Sequence, residues 1–365
     1  MFFIILIIAL LCYWGGNFYI NRRTREMISS APRIIRTGVS LFFITAGLMP
    51  FVPFALRCID IPASTYGNIF NIFGVWMVFV LYMSLILLIL DLIKRFICPK
   101  LKYGIIYAFV ITTALLVTGY YNHLHPQINR IDIATDKHIA GDTVKVVAVS
   151  DFHLGYGTGK ERLKELVAII NSENPDIILV AGDLIDNNIA PLHDDNMHEE
   201  LNLLRAPMGI YMVPGNHEYI GGMGKCRSFL ENTGIVLLAD TVVVLDNGVQ
   251  LLCRDDAFNR ERLSVEELVS GTIKEGFTIL IDHQPYGIAK KDSLGIDLQI
   301  SGHTHNGQVW PGSVIIGRLF EQGSGYRKWK NSHVYVSSGI SLWGPPLRIG
   351  TRGDIAVFRI YYNTK

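Results

Sequence analysis

Ser301-Gly302-His303-Thr304-His305-Asn306-Gly307-Gln308-Val309-Trp310-Pro311 follows a short apolar run, Leu298-Gln299-Ile300, that reads as the end of a buried strand. Two imidazoles stand one residue apart behind a glycine. In a continuing strand, residues i and i+2 point to the same face, which would aim His303 and His305 into one site. If the chain bends instead, each serves a different neighbour in that site. Taken alone, the stretch reads equally as a polar loop with two surface histidines. The partners must come from elsewhere in the chain.

Working outward, strands and helices alternate. Val144–Val149 reads as a strand, and Leu163, Leu166, Val167 and Ile170 mark an amphipathic helix at i, i+3, i+4, i+7. Ile177–Val180 and Gly209–Val213 read as further strands, with a polar helical stretch from about Asp194 to Leu204 between them. Asn247-Gly248 is a hairpin turn between Val242–Leu245 and Val249–Leu252. Phe277–Ile281, Asp297–Ile300, Val334–Ser337 and Ile355–Ile360 complete the strands, and residues 122–143 read as a connector with a first strand at Gln127–Ala134. Continuous apolar strands separated by helices indicate an α/β domain with sheets buried on both faces, and the hairpin indicates sheets that are not wholly parallel. No internal repeat or low-complexity tract is present.

In open α/β sheets, ligands gather at the carboxyl ends of strands. Here those ends read Ser150-Asp151-Phe152-His153, Gly182-Asp183-Leu184-Ile185-Asp186, Gly215-Asn216-His217-Glu218, Asp282-His283-Gln284-Pro285 and the opening G-H-x-H. One such end would be a cap or a turn; five in order exceed what turn chemistry demands. Carboxylate and imidazole donors without thiolate suit borderline divalent metals. Two such ions ~3.5–4 Å apart clamp the attacking and leaving oxygens of an in-line phosphoryl displacement.

The ordered series D-x-H, G-D-x-x-D, G-N-H-E, a lone histidine and G-H-x-H resembles the calcineurin-like metallophosphoesterase superfamily over residues 144–361. His283-Gln284-Pro285, Gly307-Gln308-Val309-Trp310-Pro311 and Trp343-Gly344-Pro345-Pro346-Leu347-Arg348 are similar to its small membrane-associated branch in bacteria. The resemblance implies a four-layer α/β/β/α sandwich and two divalent ions, Mn, Fe or Zn. It assigns Asp151, His153 and His305 to one ion, Asn216, His283 and His303 to the other, and Asp183 between them. It makes His217 the catalytic histidine, since a protonated imidazole can protonate a departing alkoxide. Asp186 would orient His217, with a helix N-cap as its other reading.

Three positions depart from the pattern. Phosphoprotein phosphatases typically have arginine where this chain has Asn187, which argues against phosphoprotein substrates. Asn306 stands where the bacterial branch often has glycine, and Cys253 precedes Arg254-Asp255 where glycine is common. Arg254 and Arg348 are candidate phosphate binders or loop clamps.

The composition divides the chain. Half of its 365 residues are hydrophobic and 18% are charged, yet residues 1–20, 37–56, 61–90 and 103–121 contain no Asp, Glu, Lys or Arg. Each stretch is long enough to cross a hydrocarbon core of ~30 Å. The first lacks the basic start, polar break and cleavage site of a signal peptide. The expected organisation is therefore a four-helix transmembrane region over 1–121, a connector over 122–143 and a catalytic domain over 144–365. Arg22, Arg23, Arg25, Arg33 and Arg36 follow the first stretch, and Lys94, Arg95, Lys100 and Lys102 follow the third; Asp60 to Tyr66 carries no Lys or Arg. Positive loops stay cytoplasmic, so the catalytic half is expected outside a bacterial cytoplasmic membrane.

Residues 1–121 hold ten Lys or Arg against three Asp or Glu, and the remainder holds 23 against 29. A mildly acidic domain is a poor polyanion binder, which argues against nucleic acid. Cys12, Cys58 and Cys98 lie in or beside the apolar stretches, and Cys226 and Cys253 are expected to be buried thiols. The sequence therefore predicts a membrane-anchored phosphohydrolase. It would act on a phosphodiester or phosphomonoester of a lipid, envelope or small-molecule substrate, with lipid pyrophosphate hydrolysis as a variant. A non-enzymatic scaffold or sensor would be expected to have lost ligands, and none is missing. A transporter would be expected to carry ionisable groups within its spans.

Overall fold

The computed structural model describes residues 2–56 and 61–363; Cys58 lies outside the described residues. The chain forms two compact units, Met1–Tyr121 with Gly344–Leu347 and Asn122–Trp343 with Arg348–Lys365.

The first unit is helical. Among the described residues, three helical stretches are long and apolar enough to cross a membrane: Arg33–Phe51, Thr65–Phe96 and Gly104–Leu124. These correspond to the second, third and fourth apolar stretches, with shifted ends. Pro50 and Pro53 break the second, which runs as an α-helix to Gly47, tightens over Met49–Phe51 and resumes at Val52. The first stretch lies in a helix, Phe2–Met27, whose last turns carry Arg22, Arg23 and Arg25. Tyr13 Oη donates to Ala46 O at 2.8 Å and Trp14 Nε1 to Gly47 O at 3.0 Å, tying two helices together.

Among the described residues the second unit holds twelve strands: β1 Gln127–Thr135, β2 Thr143–Val149, β3 Ile177–Ala181, β4 Ile210–Val213, β5 Ile235–Leu237, β6 Thr241–Val244, β7 Gln250–Cys253, β8 Thr278–Ile281, β9 Leu298–Ser301, β10 Gly325–Lys328, β11 His333–Val336 and β12 Asp354–Tyr362. They form two mixed sheets, in the orders β1-β12-β2-β3-β4-β5 and β10-β11-β9-β8-β7-β6. β2 to β5 run parallel, as do β7, β8, β9 and β11.

β-Branched residues dominate β2, β3 and β8, and every residue of β3, β8 and β9 is buried, because both faces of each sheet are covered. Val146, Leu179, Leu251, Ile279, Ile300 and Phe358 pack between the sheets. Leu163, Leu166 and Ile170 of the helix Lys160–Ser172 pack with Val147 and Ile178 on the far face of the first sheet. Val265 and Leu268 cover Leu252 and Leu280 of the second. The layers thus run helix, sheet, sheet, helix.

Two strands escape sequence reading. β5 is three residues long and β10 is mostly exposed, so neither shows a buried apolar pattern. The helix expected over 194–204 is two short helices, Ala190–Asp194 and Met197–Leu201, separated where Asn196 turns left-handed at φ 51°. Gln127 pairs with Asp354, and β12 then runs antiparallel to β2 with Ala356 opposite Ala148. The chain therefore enters its sheet at the edge where β2 ends.

Candidate metal centre

The carboxyl ends of β2, β3 and β4 on one sheet and of β8 and β9 on the other converge on one seam. Their connections leave extended geometry at once. Asp151, His153, Asp183, His303 and His305 all have positive φ, between 47° and 72°. Non-glycine residues rarely adopt this region, and such strain collects at functional sites. The bend settles how His303 and His305 point: they face different partners, not one. Two glycines allow the close approach. A Cβ on Gly302 would collide with Ser150 and Asp151, and one on Gly182 (φ 85°) would lie 2.6 Å from the His283 ring.

Three donor groups result, each with ligand atoms within 4.8 Å of one another: Asp151, His153 and His305; Asp183, His283 and His303; and His153, Asp183 and His217. His153 Nε2 and His305 Nε2 are 3.0 Å apart, with Asp151 Oδ1 at 3.8 Å from the first and 3.4 Å from the second. Asp183 Oδ2 lies 3.1 Å from His283 Nε2 and 3.9 Å from His153 Nε2, between the two sets. Asn216 Oδ1 lies 2.9 Å from His303 Nδ1 and 3.3 Å from His283 Nε2.

His283 tests whether these residues fit a cation. Its Nδ1 is 2.7 Å from the Ala181 carbonyl, which can only accept, so that nitrogen carries the proton. In the neutral ring, Nε2 is then a lone pair facing the oxygens of Asp183 and Asn216. His283 Nε2 and Asp183 Oδ2, both acceptors in that state, face each other at 3.1 Å, which calls for a positive charge between them or on the ring. Burial opposes charging the ring, yet the charges of Asp183 and Asp151 hold the pKa of His283 well above its ordinary value. A divalent ion would satisfy the same three atoms, and the donor chemistry fits one.

His217 sits differently. Its backbone N–H donates to Asp183 Oδ1 at 2.9 Å, while its ring Nδ1 lies 2.8 Å from Asp186 Oδ1. Burial disfavours the charged ring, but the hydrogen bond to Asp186 and the charge of Asp183 prevail and raise its pKa. Asp186 is held below the usual carboxylate range despite its burial, by the neighbouring imidazoles of His153 and His217, the second of which is hydrogen-bonded to it. It does not cap a helix: the next helix starts at Ala190, and Asn188 Oδ1 accepts the Ala190 N–H. The exposed Trp343 ring stands edge-on to His217 at 6.1 Å.

One supporting role was not read from the sequence, and another was left open between two readings. Glu218 is fully buried and accepts from the N–H groups of Asp183, Ile185 and Gly215 at 3.0, 2.9 and 2.8 Å, fastening two strand ends together. Burial and the charge of Asp183 push its carboxyl up to about 8, against the pull of those N–H donors. An acid three residues past a helix-starting glycine was the available signal. Arg348 is also fully buried; it donates to the carbonyls of His305 and Gly339 at 3.0 Å and of Ser341 at 2.5 Å. It clamps loops, as does Arg254, which donates to Leu263 O and Asp282. Asn306 has φ 49°, a conformation asparagine tolerates better than most residues, which accounts for its standing in a glycine position. Cys226 and Cys253 are buried free thiols.

Residues 144–307 match the family model for the calcineurin-like phosphoesterases. An uncharacterized metallophosphoesterase of Helicobacter pylori is 34% identical over 250 residues, 66% of each chain, so this chain spans just under two thirds of that relative. One from Bacillus subtilis is 31% identical over 66% of this chain and 89% of its own. A transmembrane protein with metallophosphoesterase domain from Danio rerio is 30% identical over 68% of this chain and 60% of its own.

Proposed function

From its membership of the calcineurin-like phosphoesterase family, to which this chain belongs, we propose that it is a membrane-anchored phosphoric ester hydrolase holding two divalent ions, Mn, Fe or Zn. The observation that carries this reading is the position of the Asp183 carboxylate between His153 on one side and His283 on the other. In this reading Asp151, His153 and His305 would hold one ion and Asn216, His283 and His303 the other, with Asp183 shared between the two sets. When bound, the pair supplies Lewis acidity toward the phosphoryl oxygens and a water acidified enough to attack. His217 stands outside both sets, its pKa raised by the hydrogen bond to Asp186, and is the residue placed to deliver a proton to the leaving oxygen. Asp186 is a positioning residue. His217 Nδ1 is hydrogen-bonded to it at 2.8 Å, while His153 Nδ1 lies 3.7 Å away.

The substrate is a phosphodiester or phosphomonoester of a lipid, envelope or small-molecule compound, or a lipid pyrophosphate. The purified full-length chain, screened against these classes with each metal, is expected to turn over at least one of them, with chelation abolishing the rate. No turnover in any class by protein that binds both ions would favour the scaffold reading.

The anchor is read as four crossings over residues 1–121, followed by a connector over 122–143 and the catalytic domain over 144–365. Nine Lys or Arg in the first and third loops keep these in the cytoplasm; the short second link holds one basic residue, Arg57, and one acidic residue, Asp60, and so adds no net charge. Residues 122–365 then lie outside. A reporter that works only after export, fused after Lys365, should be active. Silence there, with activity from a cytoplasmic reporter at the same place, would mean three crossings.

A further inference from the structure

We propose that the segment from Trp310 to Lys330 is a lipid-contacting face beside the metal centre, seated in the headgroup region of an anionic bilayer. This rests on the membrane-anchored reading of the chain. The helix Gly312–Leu319 buries none of its side chains, although half of them are large aliphatics. Val314, Ile315 and Leu319 are 46%, 56% and 69% exposed, and Trp310 before the helix is 50% exposed. Contiguous apolar surface of this kind marks an interaction site.

Charge selects the partner. The segment carries Arg318, Arg327, Lys328 and Lys330 against Glu321 alone, within a region, residues 122–365, that is acidic overall. Aliphatic side chains beside aromatic and basic ones are the composition of an interfacial helix on anionic lipid. An apolar face for a protein partner would need no such local reversal of charge.

The fold places this face at the right edge. Only His125 and Pro126 separate the helix Gly104–Leu124 from β1, and a residue spans at most ~3.6 Å, so β1 starts within about 11 Å of the helix end. β1 starts at the edge of the sheet where β2 runs into Asp151. Asn122 Nδ2 donates to Arg348 O at 3.1 Å, and Arg348 in turn holds His305 O. The segment itself begins five residues after His305. Thr304 Oγ1 donates to Gly323 O at 2.7 Å, and the Phe320 ring lies 6.4 Å from His303. Tether, metal ligands and apolar helix therefore share one end of the unit. A phosphate ester presented by a lipid headgroup would meet the ligands without leaving the interface.

The test is acyl-chain photolabelling of the full-length chain in phosphatidylcholine vesicles containing phosphatidylglycerol and a diazirine-bearing phospholipid, with labelled peptides mapped by mass spectrometry. Label is expected on the apolar helices of residues 1–121 and on the peptide containing Val314–Leu319. The second label should fall several-fold when phosphatidylglycerol is omitted, and in the double variant Ile315→Asp, Leu319→Asp. Label on the apolar helices but not on 314–319 would overturn the proposal while leaving the anchor intact. No label on either would overturn both. Cross-linking between copies through position 315, in place of lipid labelling, would assign the face to a second chain and also overturn it.

Discussion

Asp183 and Asp282 are both buried just past the end of a strand, on the two facing sheets, and they meet opposite kinds of partner. Asp183 faces the imidazoles of His283 and His153, whose charge depends on a proton or a metal. Asp282 faces Lys291 Nζ at 2.6 Å, Arg254 Nη1 at 3.1 Å and Arg262 Nη1 at 3.4 Å, whose charges are permanent. Burial alone would raise both carboxyls; the neighbours of each outweigh it and lower both. On the proposed role of Asp183, the comparison teaches how to tell a ligand carboxylate from a structural one at equal burial. The first has partners that exchange a proton for a metal, and the second has partners that cannot.

Substitutions should separate the two. Asp183→Asn is expected to fold, to lose metal by elemental analysis and to lose about 10³-fold in turnover, the scale of a lost charge-stabilising group in an active site. A variant with both ions and full rate would erase the distinction. His217→Ala is expected to lose about 10²-fold, the lower end for general acid catalysis, with both metals retained and smaller losses on substrates with good leaving groups. Loss of an ion in this variant would move His217 among the ligands, as its group with His153 and Asp183 allows.

Asp282→Asn should do the reverse, keeping metals and rate while costing about 3 kcal/mol of stability in chemical denaturation, because three buried or half-buried cations lose their counter-charge. The sign follows from the lowered carboxyl. Its contribution is present above the ordinary aspartate range and is lost as pH falls through its depressed value, so variant and native stabilities should converge in acid. Glu218→Gln is the smallest change: one of three backbone N–H groups loses its acceptor, at about 1 kcal/mol by the same measurement.

The strand ends and all nine proposed site residues were legible in the sequence, because strand C-termini concentrate chemistry and these carry little else. The left-handed turns at Asp151, His153, Asp183, His303 and His305 were not, since nothing in those residue types requests such a backbone. Glu218 was overlooked because its partners are backbone N–H groups, which leave no side-chain pattern. Arg254 and Arg348 stayed ambiguous for a related reason: an arginine clamping carbonyls and an arginine binding phosphate look alike until burial is known. The exposed helix Gly312–Leu319 passed unnoticed because four aliphatics in eight residues read as core.

The central claim is that Asp183 joins two metal sets into one centre. Stripping the full-length chain of metal and titrating Mn²⁺ back, while following turnover of a phosphodiester and bound metal together, tests it most directly. The account predicts no turnover in the stripped protein and recovery that completes only as a second ion binds per chain. Turnover in metal-free protein, or full recovery at one ion per chain, would contradict it.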